Sequence, residues 1–203
     1  MTRSLLRPLA ILMLCGLAGA AQAAGDPQAG QSKFATCAGC HAIPGYTNAY
    51  PTYHVPRLGG QHADYLLSAL KAYQAGQRQH PTMQANASPL SEQDQQDIAA
   101  YLAHFPSAAA PYPVQGNAVA GKAKSVTCAA CHGADGNGAI PLYPRLAGQY
   151  EDYLRTALTR YQSGARQNAV MNGMAKPLSA QDIADLAAYY ASQPKGLVTV
   201  QQE

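Results

Sequence analysis

The pentapeptides CAGCH (residues 37–41) and CAACH (residues 128–132) have the same frame, in which two residues separate a pair of cysteines and a histidine follows directly. A Cys-x-x-Cys pair by itself is compatible with a redox dithiol, with half of a zinc site, or with a structural disulfide in an exported protein. The histidine that ends both copies adds a fourth interpretation, the covalent attachment of haem, and favours it over the other three.

In that interpretation the two thiols add to the two vinyl groups of one haem, and the adjacent imidazole is placed to bind the iron. Because the frame occurs twice, we expect two covalently bound haem c groups and keep the zinc and disulfide interpretations as alternatives. The predicted haem-attachment residues are Cys37, Cys40, Cys128 and Cys131, and the predicted iron ligands beside them are His41 and His132.

Both frames belong to an internal repeat that covers most of the chain. Residues 56–78 match residues 144–166 at an offset of 88, and residues 89–103 match residues 177–191 at the same offset. The cysteine frames are 91 residues apart, because the first copy has three additional residues between its histidine and the Pro-Arg-Leu that follows. The sequence therefore predicts two copies of one haem-binding unit.

The N-terminus has the features of a cleaved signal peptide. Arg3 and Arg7 precede an apolar run that is too short for a spanning helix, and a small-x-small pattern ends at Ala23. We expect cleavage after Ala23, export to the periplasm, and the loss of Cys15, the fifth cysteine of the chain. The predicted division is a signal peptide at 1–23, a first haem unit at 24–106, a linker at 107–115 and a second haem unit at 116–203.

Charge excludes one class of partner. Without the signal peptide, 12 Lys and Arg stand against 11 Asp and Glu, so the net charge is +1 rather than +3. No clustered basic run of the kind that nucleic acid requires is present, and no second candidate for a membrane span occurs. The two units differ in charge, with −1 over residues 24–106 and +2 over residues 116–203.

Helical periodicity predicts an all-α fold for each unit. Apolar residues from Tyr65 to Tyr73 fall on one face of a helix that Gly76 can end, and the pattern recurs 88 residues later. Ser91 with Asp94 is typical of a helix N-terminus, and a short helix is expected before each cysteine frame. The residues predicted to point inward from the last helices are Ile98, Leu102 and Phe105 in the first unit and Ile183, Leu186 and Tyr190 in the second.

A methionine in each unit is the candidate for the sixth iron ligand. Met83 lies in PTMQANASPLS (residues 81–91), whose polar and turn-forming residues predict a loop, and Met171 matches it at the offset of 88. Thioether sulfur is a soft ligand that raises the potential of haem iron, so we expect Met83 and Met171 to be axial ligands. Met174 is the alternative in the second unit, and His54 is the histidine that would compete in the first.

These motifs resemble those of the cytochrome c4 family, di-haem class I cytochromes of the bacterial periplasm. The resemblance rests on the two CxxCH frames, on the two Pro-Arg-Leu-x-Gly-Gln segments, on the methionine segments before Pro-Leu-Ser-x-Gln-Asp, and on AAYYASQ near the end. It covers nearly the whole chain after the signal peptide. The first unit departs from the family where it lacks the CHGADGNG pattern that the second unit keeps.

The resemblance implies two tandem cytochrome c domains related by a pseudo-twofold axis, with haem propionates facing each other across the interface. It also implies electron delivery to terminal oxidases from upstream respiratory donors, and loose attachment to the membrane. By the same similarity, the carbonyls of Pro56 and Pro144 are candidates to accept a hydrogen bond from the ligand histidines. Four residues either bind propionates or are simple surface residues: Arg57, Arg145, Gln61 and Gln149.

The predicted ligation has a direct consequence for function. An iron with histidine on one side and methionine on the other has no open position for a substrate, which favours an electron carrier over an enzyme. Electrons then pass by outer-sphere transfer through an exposed haem edge. The alternatives are an electron-transfer subunit of a dehydrogenase complex, a sensor, or a di-haem enzyme such as a peroxidase, which requires one open or unusually ligated haem.

Overall fold

The computed structural model describes residues 25–108 and 112–201, so the predicted signal peptide lies outside the described residues. Apart from isolated bridges, these residues form helices and no strand, which confirms the all-α prediction. The helices are α1 (Pro27–Lys33), α2 (Ala35–His41), α3 (Ala63–Gln74), α4 (Pro81–Ala87), α5 (Glu92–Ala103), α6 (Ala118–Lys124), α7 (Val126–His132), α8 (Glu151–Ser163), α9 (Ala169–Ala175) and α10 (Ala180–Ala191).

The helices repeat with the sequence. α6 and α7 begin 91 residues after α1 and α2, whereas α8, α9 and α10 begin 88 residues after α3, α4 and α5. The three-residue difference therefore falls in the loop between the second and third helices of the first unit. The chain folds as two tandem units of five described helices each, in the same order.

Local sequence sets the ends of these helices. The Ser91 hydroxyl accepts a hydrogen bond from the Asp94 amide at 3.2 Å, and the Asp94 carboxylate accepts one from the Ser91 amide at 3.0 Å. This capping box starts α5, and the equivalent residues start α10 in the same way. Gly164 ends α8 in the left-handed conformation, with φ of 79°, which a glycine adopts without strain.

The last helix of each unit forms the centre of its core. Ile98 and Leu102 are 2% exposed, as predicted, whereas Phe105 is only half-buried. In the second unit all three predicted residues, Ile183, Leu186 and Tyr190, are buried. α1 crosses α5 at Gly30, where a side chain would collide with the Asp97 carbonyl, so that glycine is what lets the two backbones approach.

The C-terminal segment leaves the second unit and packs on the first. Val198 and Gly59 exchange two backbone hydrogen bonds of 3.0 Å, and the Val200 side chain is fully buried in the core cluster that contains Phe34 and Leu66. The end of the chain therefore completes the core of the first unit. Over the residues that the structure describes, no helix has both the length and the apolar character to cross a membrane.

Candidate functional site

Each cysteine frame lies on a helix. A short helix was expected before each frame; the structure instead has two, and the second of them, α2 or α7, carries the frame and ends at its histidine. Cysteines three residues apart on a helix lie on one face, so Cys37 and Cys40 present their thiols to the same side. The four thiols of the two frames are free and half-buried.

The histidine at the end of each frame is buried and oriented by a proline carbonyl. His41 is 8% exposed and its Nδ1 lies 3.0 Å from the Pro56 carbonyl; His132 is 6% exposed and its Nδ1 lies 2.9 Å from the Pro144 carbonyl. Because a carbonyl oxygen only accepts, Nδ1 donates, and the lone pair remains on Nε2. That is the tautomer that a metal-binding histidine needs, and it agrees with the expected role of both prolines.

Burial keeps both imidazoles neutral. It lowers the pKa of His41 to about 4, against the opposing effect of the bond to Pro56, and the nearby Arg78 and His80 lower it further. Burial also lowers the pKa of His132, against the effect of the bond to Pro144. At neutral pH neither histidine carries a second proton, so both Nε2 atoms are available as ligands.

The prediction of a loop around Met83 is wrong. Met83 is the third residue of α4 and Met171 is the third residue of α9. The Met83 amide donates to His80 Nδ1 at 3.3 Å, and the Met171 amide donates to Asn168 Oδ1 at 3.0 Å. Each methionine is therefore held by the cap of its own short helix.

Exposure separates the candidate methionines of the second unit. Met83 and Met171 are half-buried, whereas Met174, one turn further along α9, is 38% exposed.

His54, the alternative ligand in the first unit, has other partners. Its Nδ1 lies 2.7 Å from the Asp152 carboxylate and its ring stacks on Tyr150. The structure thus keeps Met83 and Met171 in equivalent positions and gives His54 a partner in the second unit.

The sequence did not decide whether four polar residues bind propionates or are simple surface residues. The surface alternative is wrong for Arg57, Gln61 and Gln149, which are 5%, 4% and 5% exposed, and Arg145 is half-buried. All four form hydrogen bonds between the two units, for example from Gln61 Nε2 to the Arg145 carbonyl at 3.0 Å. Sequence periodicity does not reveal such contacts, because it describes one helix at a time.

The residues present fit two covalent haem groups. Each unit combines a pair of free thiols on one helix face, a neutral buried imidazole whose Nε2 is available, and a half-buried thioether on a capped helix. His80, which caps the methionine helix, also lies close enough to His41 to affect its pKa. The start of α4 is therefore near the imidazole that the haem interpretation assigns to the same iron.

Fold and sites together define a c-type cytochrome with two haem units. The sequence model of the cytochrome c family matches the chain twice, over residues 27–106 and 115–193. The chain belongs to the cytochrome c family and, within it, to the di-haem cytochrome c4 family, whose relatives match it over most of its length. It is an electron-carrying protein with two covalent haem c groups.

Three proteins are similar to this chain over most of its length. Cytochrome c4 of Pseudomonas aeruginosa is 36% identical over 194 residues, which are 89% of this chain and 95% of that protein. The crystal structure of reduced cytochrome c4 from Pseudomonas stutzeri matches with a TM-score of 0.68 at 31% identity, over 84% of this chain and all of that one. A thiosulfate dehydrogenase electron acceptor of Stutzerimonas stutzeri is 30% identical over 77% of this chain and 78% of its own length.

Proposed function

We propose that this protein is a periplasmic electron carrier that takes electrons from respiratory-chain donors and passes them to a terminal oxidase. The observation that carries the proposal is the equivalence of the two sites. In both units a buried histidine with its lone pair on Nε2 is matched by a half-buried methionine at the third position of a capped helix. With His41 and Met83, and His132 and Met171, as axial ligands, both irons are closed to substrate.

The chain's own residues serve electron transfer by holding their positions. When bound, each haem supplies a one-electron couple. The Pro56 and Pro144 carbonyls fix the ring orientation of His41 and His132, and the caps fix the backbone of each methionine helix. A site whose ligands are held in this way changes little between oxidation states, which favours rapid outer-sphere transfer.

Charge suggests that the two units dock different partners. The first unit has a net charge of −1 over residues 24–106, and the second has +2 over residues 116–203. Complementary charge affects the rate of encounter between proteins more than it affects affinity. Rates of electron exchange with a donor and with an oxidase should therefore differ in their dependence on ionic strength. If neither rate depends on ionic strength, the proposal that the two units dock different partners is wrong.

A second candidate function is that of the electron-accepting subunit of a dehydrogenase. The relative from Stutzerimonas stutzeri that is named a thiosulfate dehydrogenase electron acceptor favours it. The difference between the two candidates is the partner and not the residue chemistry. Purification from native membranes and soluble fractions under mild conditions separates them: a carrier is recovered alone, whereas a subunit is recovered with a dehydrogenase that reduces it.

The first experiment measures the red methionine-to-iron charge-transfer band of the oxidised protein per haem, and then adds carbon monoxide to the reduced protein. Two equivalents of the band and no carbon monoxide binding support an electron carrier with both irons closed. One equivalent, with carbon monoxide bound to the other haem, contradicts one methionine assignment and favours an enzyme or a sensor.

A further inference from the structure

The two units differ in the residues that surround the first cysteine of each frame. In the first unit Phe34 and Leu102 belong to one buried cluster, against which Cys37 packs. In the second unit Ser125 stands at the position of Phe34, and Tyr190 stands at the position of Leu102. Both replacements are buried, because Ser125 and Tyr190 are each only 4% exposed. Two apolar side chains of the first unit are therefore exchanged for two hydroxyl-bearing side chains in the second.

The exchange keeps the volume of the core but adds polar atoms to it. Ser125 is smaller than Phe34 and Tyr190 is larger than Leu102, so the loss at one position is offset at the other. Cys128 packs against the cluster that contains Tyr190, as the first cysteine of the other frame does in its own unit. The second cysteine frame thus has a phenol in its surroundings where the first has an aliphatic side chain.

The Tyr190 hydroxyl is buried and has no hydrogen-bond partner among the described residues. The adjacent Tyr189 shows the usual arrangement, since its hydroxyl donates to the Ala134 carbonyl at 2.7 Å. Ser125 lies beside the Tyr190 hydroxyl, but its own hydroxyl donates to the Lys122 carbonyl at 2.9 Å. Because a buried hydroxyl without a partner is costly, we expect an acceptor beside the Tyr190 oxygen in the holoprotein.

Packing holds the Tyr190 ring in place. A Cβ at Gly136 would lie 2.7 Å from the ring carbon Cδ1, so the ring packs directly on that glycine. The Tyr190 carbonyl accepts a hydrogen bond from the Gly148 amide at 2.9 Å, and the centre of its ring lies 5.1 Å from that of Tyr189. The phenol oxygen therefore cannot turn toward solvent unless α10 or the loop with Gly136 moves.

The Cys128 sulfur is the acceptor that haem attachment provides. Burial raises the pKa of Cys128, and the Thr127 and Tyr190 hydroxyls oppose it, so the phenol and the sulfur are neighbours. Burial and then Cys128 raise the pKa of Tyr190, which keeps its proton at neutral pH. When the thiol adds across a vinyl group, the S–C bond forms and the thiol hydrogen moves to the other vinyl carbon. The thioether sulfur that remains can accept a hydrogen bond but cannot donate one.

We propose that Tyr190 is a positioning residue of the second haem, whose hydroxyl donates to the Cys128 sulfur and raises the reduction potential of that haem. A hydrogen bond to a haem substituent withdraws electron density and so favours ferrous iron. Leu102 cannot exert this effect in the first unit, so the phenol favours the electron on the second unit. The proposal deepens the proposed function and rests on it, because it takes Cys128 as an attachment residue.

The test uses the holoprotein and the substitution Tyr190→Phe, which removes the hydroxyl and keeps the ring. Tyr189→Phe is the matched control, because it removes the hydroxyl of the adjacent residue, whose partner is a backbone carbonyl. Spectroelectrochemical titration measures both reduction potentials, and NMR of the haem methyl groups assigns each potential to a unit. Resonance Raman spectra in light and heavy water record the C–S stretching bands of the attached haems.

In Tyr190→Phe we expect a lower potential for the second haem and an unchanged potential for the first. A C–S band that shifts in heavy water should be present in the unmodified protein and in Tyr189→Phe, and absent in Tyr190→Phe. The proposal is overturned if Tyr190→Phe matches Tyr189→Phe in potentials and C–S bands. A rise in the second potential also overturns it, because the phenol oxygen rather than its hydrogen would then face the haem.

Ser125→Ala identifies the acceptor of the phenol hydrogen. If the acceptor is the Cys128 sulfur, this variant keeps both potentials and the C–S band that shifts in heavy water. If Ser125→Ala reproduces the effects of Tyr190→Phe, the phenol donates to Ser125 and the proposal is wrong.

A double variant replaces Tyr190→Phe if that protein does not fold. Ser125→Phe combined with Tyr190→Leu gives the second unit the side chains of the first, at nearly the same total volume, and should lower the second potential in the same way. Haem content and the red charge-transfer band are recorded on every sample. Two haems with both bands, and no effect of Tyr190, leave the proposed function intact and remove only the role of the phenol. Fewer than two haems in the unmodified protein contradict the attachment itself.

Discussion

Arg57 of the first unit and Gln149 of the second exchange two hydrogen bonds of 2.9 Å, from the Arg57 amide to Gln149 Oε1 and from Gln149 Nε2 to the Arg57 carbonyl. Arg145 and Gln61 repeat this exchange with the units reversed, at 2.8 Å and 3.0 Å. These residues are the Arg and Gln of the repeated Pro-Arg-Leu segment. One sequence element, duplicated, therefore forms both halves of this exchange between the units.

Removal of either glutamine should weaken this contact. Gln149→Leu leaves the Arg57 amide and carbonyl buried without their partner, and an unsatisfied buried polar group costs about 1–3 kcal/mol. We expect that loss in the free energy of unfolding in urea, with a similar loss for Gln61→Leu. Gln28→Leu, at an exposed position on α1, is the control. Equal stabilities for Gln149→Leu and Gln28→Leu would contradict the proposed importance of the exchange.

The parts of the fold that follow from the sequence are those specified by short-range patterns. The repeat and the periodicity of apolar residues predict the units and their longer helices, and Ser91 with Asp94 predicts the start of α5. The methionine helices were missed because Pro81 and the polar residues after it resemble a loop. Pro81 in fact occupies the first helical position, where its missing N–H is harmless. Asn168, a favoured N-cap residue, was the available signal in the second unit.

Contacts between the units were not predictable in the same way. Nothing in the local sequence distinguishes an arginine that faces solvent from one that meets the other unit, so the backbone bridge between Arg78 and Arg166 was missed. The repeat offered a partial signal, because both arginines are retained at equivalent positions. The attachment of the C-terminal segment to the first unit was also missed, since a segment of a few residues carries no periodicity that indicates its neighbour.

Val200 should stabilise the unit that does not contain it. Its side chain is fully buried in the core of the first unit, so Val200→Ala removes two buried methyl groups and should cost about 2 kcal/mol. Relative to the unmodified holoprotein, the Val200→Ala holoprotein should show a larger increase in amide hydrogen exchange in α3 and α5 than in α8 and α10. Val119→Ala, at a position that is 83% exposed, is the control. Faster exchange confined to the second unit would show that the segment packs elsewhere.

Gly30 and Gly121 should not accept a methyl group. A Cβ at Gly30 collides with the Asp97 carbonyl, and a Cβ at Gly121 collides with the Asp185 carbonyl in the equivalent helix crossing. Overpacking of this kind costs about 1–3 kcal/mol, so Gly30→Ala and Gly121→Ala should each lower the melting temperature. Calorimetry measures the effect, with Ser32→Ala on the exposed side of α1 as the control. Melting temperatures unchanged by both substitutions would mean that the helices move apart without cost.

Acid should destabilise the start of α5. The hydrogen bond from Lys33, followed by those from Ser91, lowers the pKa of Asp94 to about 2. Because the folded state favours the charged carboxylate, its contribution is complete above the ordinary pKa of 3.8 and is lost as the pH falls toward 2. Asp94→Asn should therefore lower stability at pH 6 and reduce the dependence of stability on pH between 4 and 2.

Urea unfolding of the holoprotein at several pH values measures this dependence. Asp64→Asn is the control, because Asp64 is exposed and takes part in no ion pair within the described residues. The control should keep the slope of the unmodified protein. If Asp94→Asn also keeps that slope, the interaction with Lys33 does not persist in solution.

The two methionines of α9 give the sharpest test of the second site. Met171 is half-buried, third in the helix, and equivalent to Met83, whereas Met174 lies one turn later and is 38% exposed. Met171→Leu keeps the apolar volume but removes the sulfur, so it should halve the red charge-transfer band and allow one equivalent of carbon monoxide to bind. Met174→Leu should leave both observables unchanged. The reverse result would assign the ligand to Met174 and break the equivalence of the two units, because the first unit has Asn86 at the matching position.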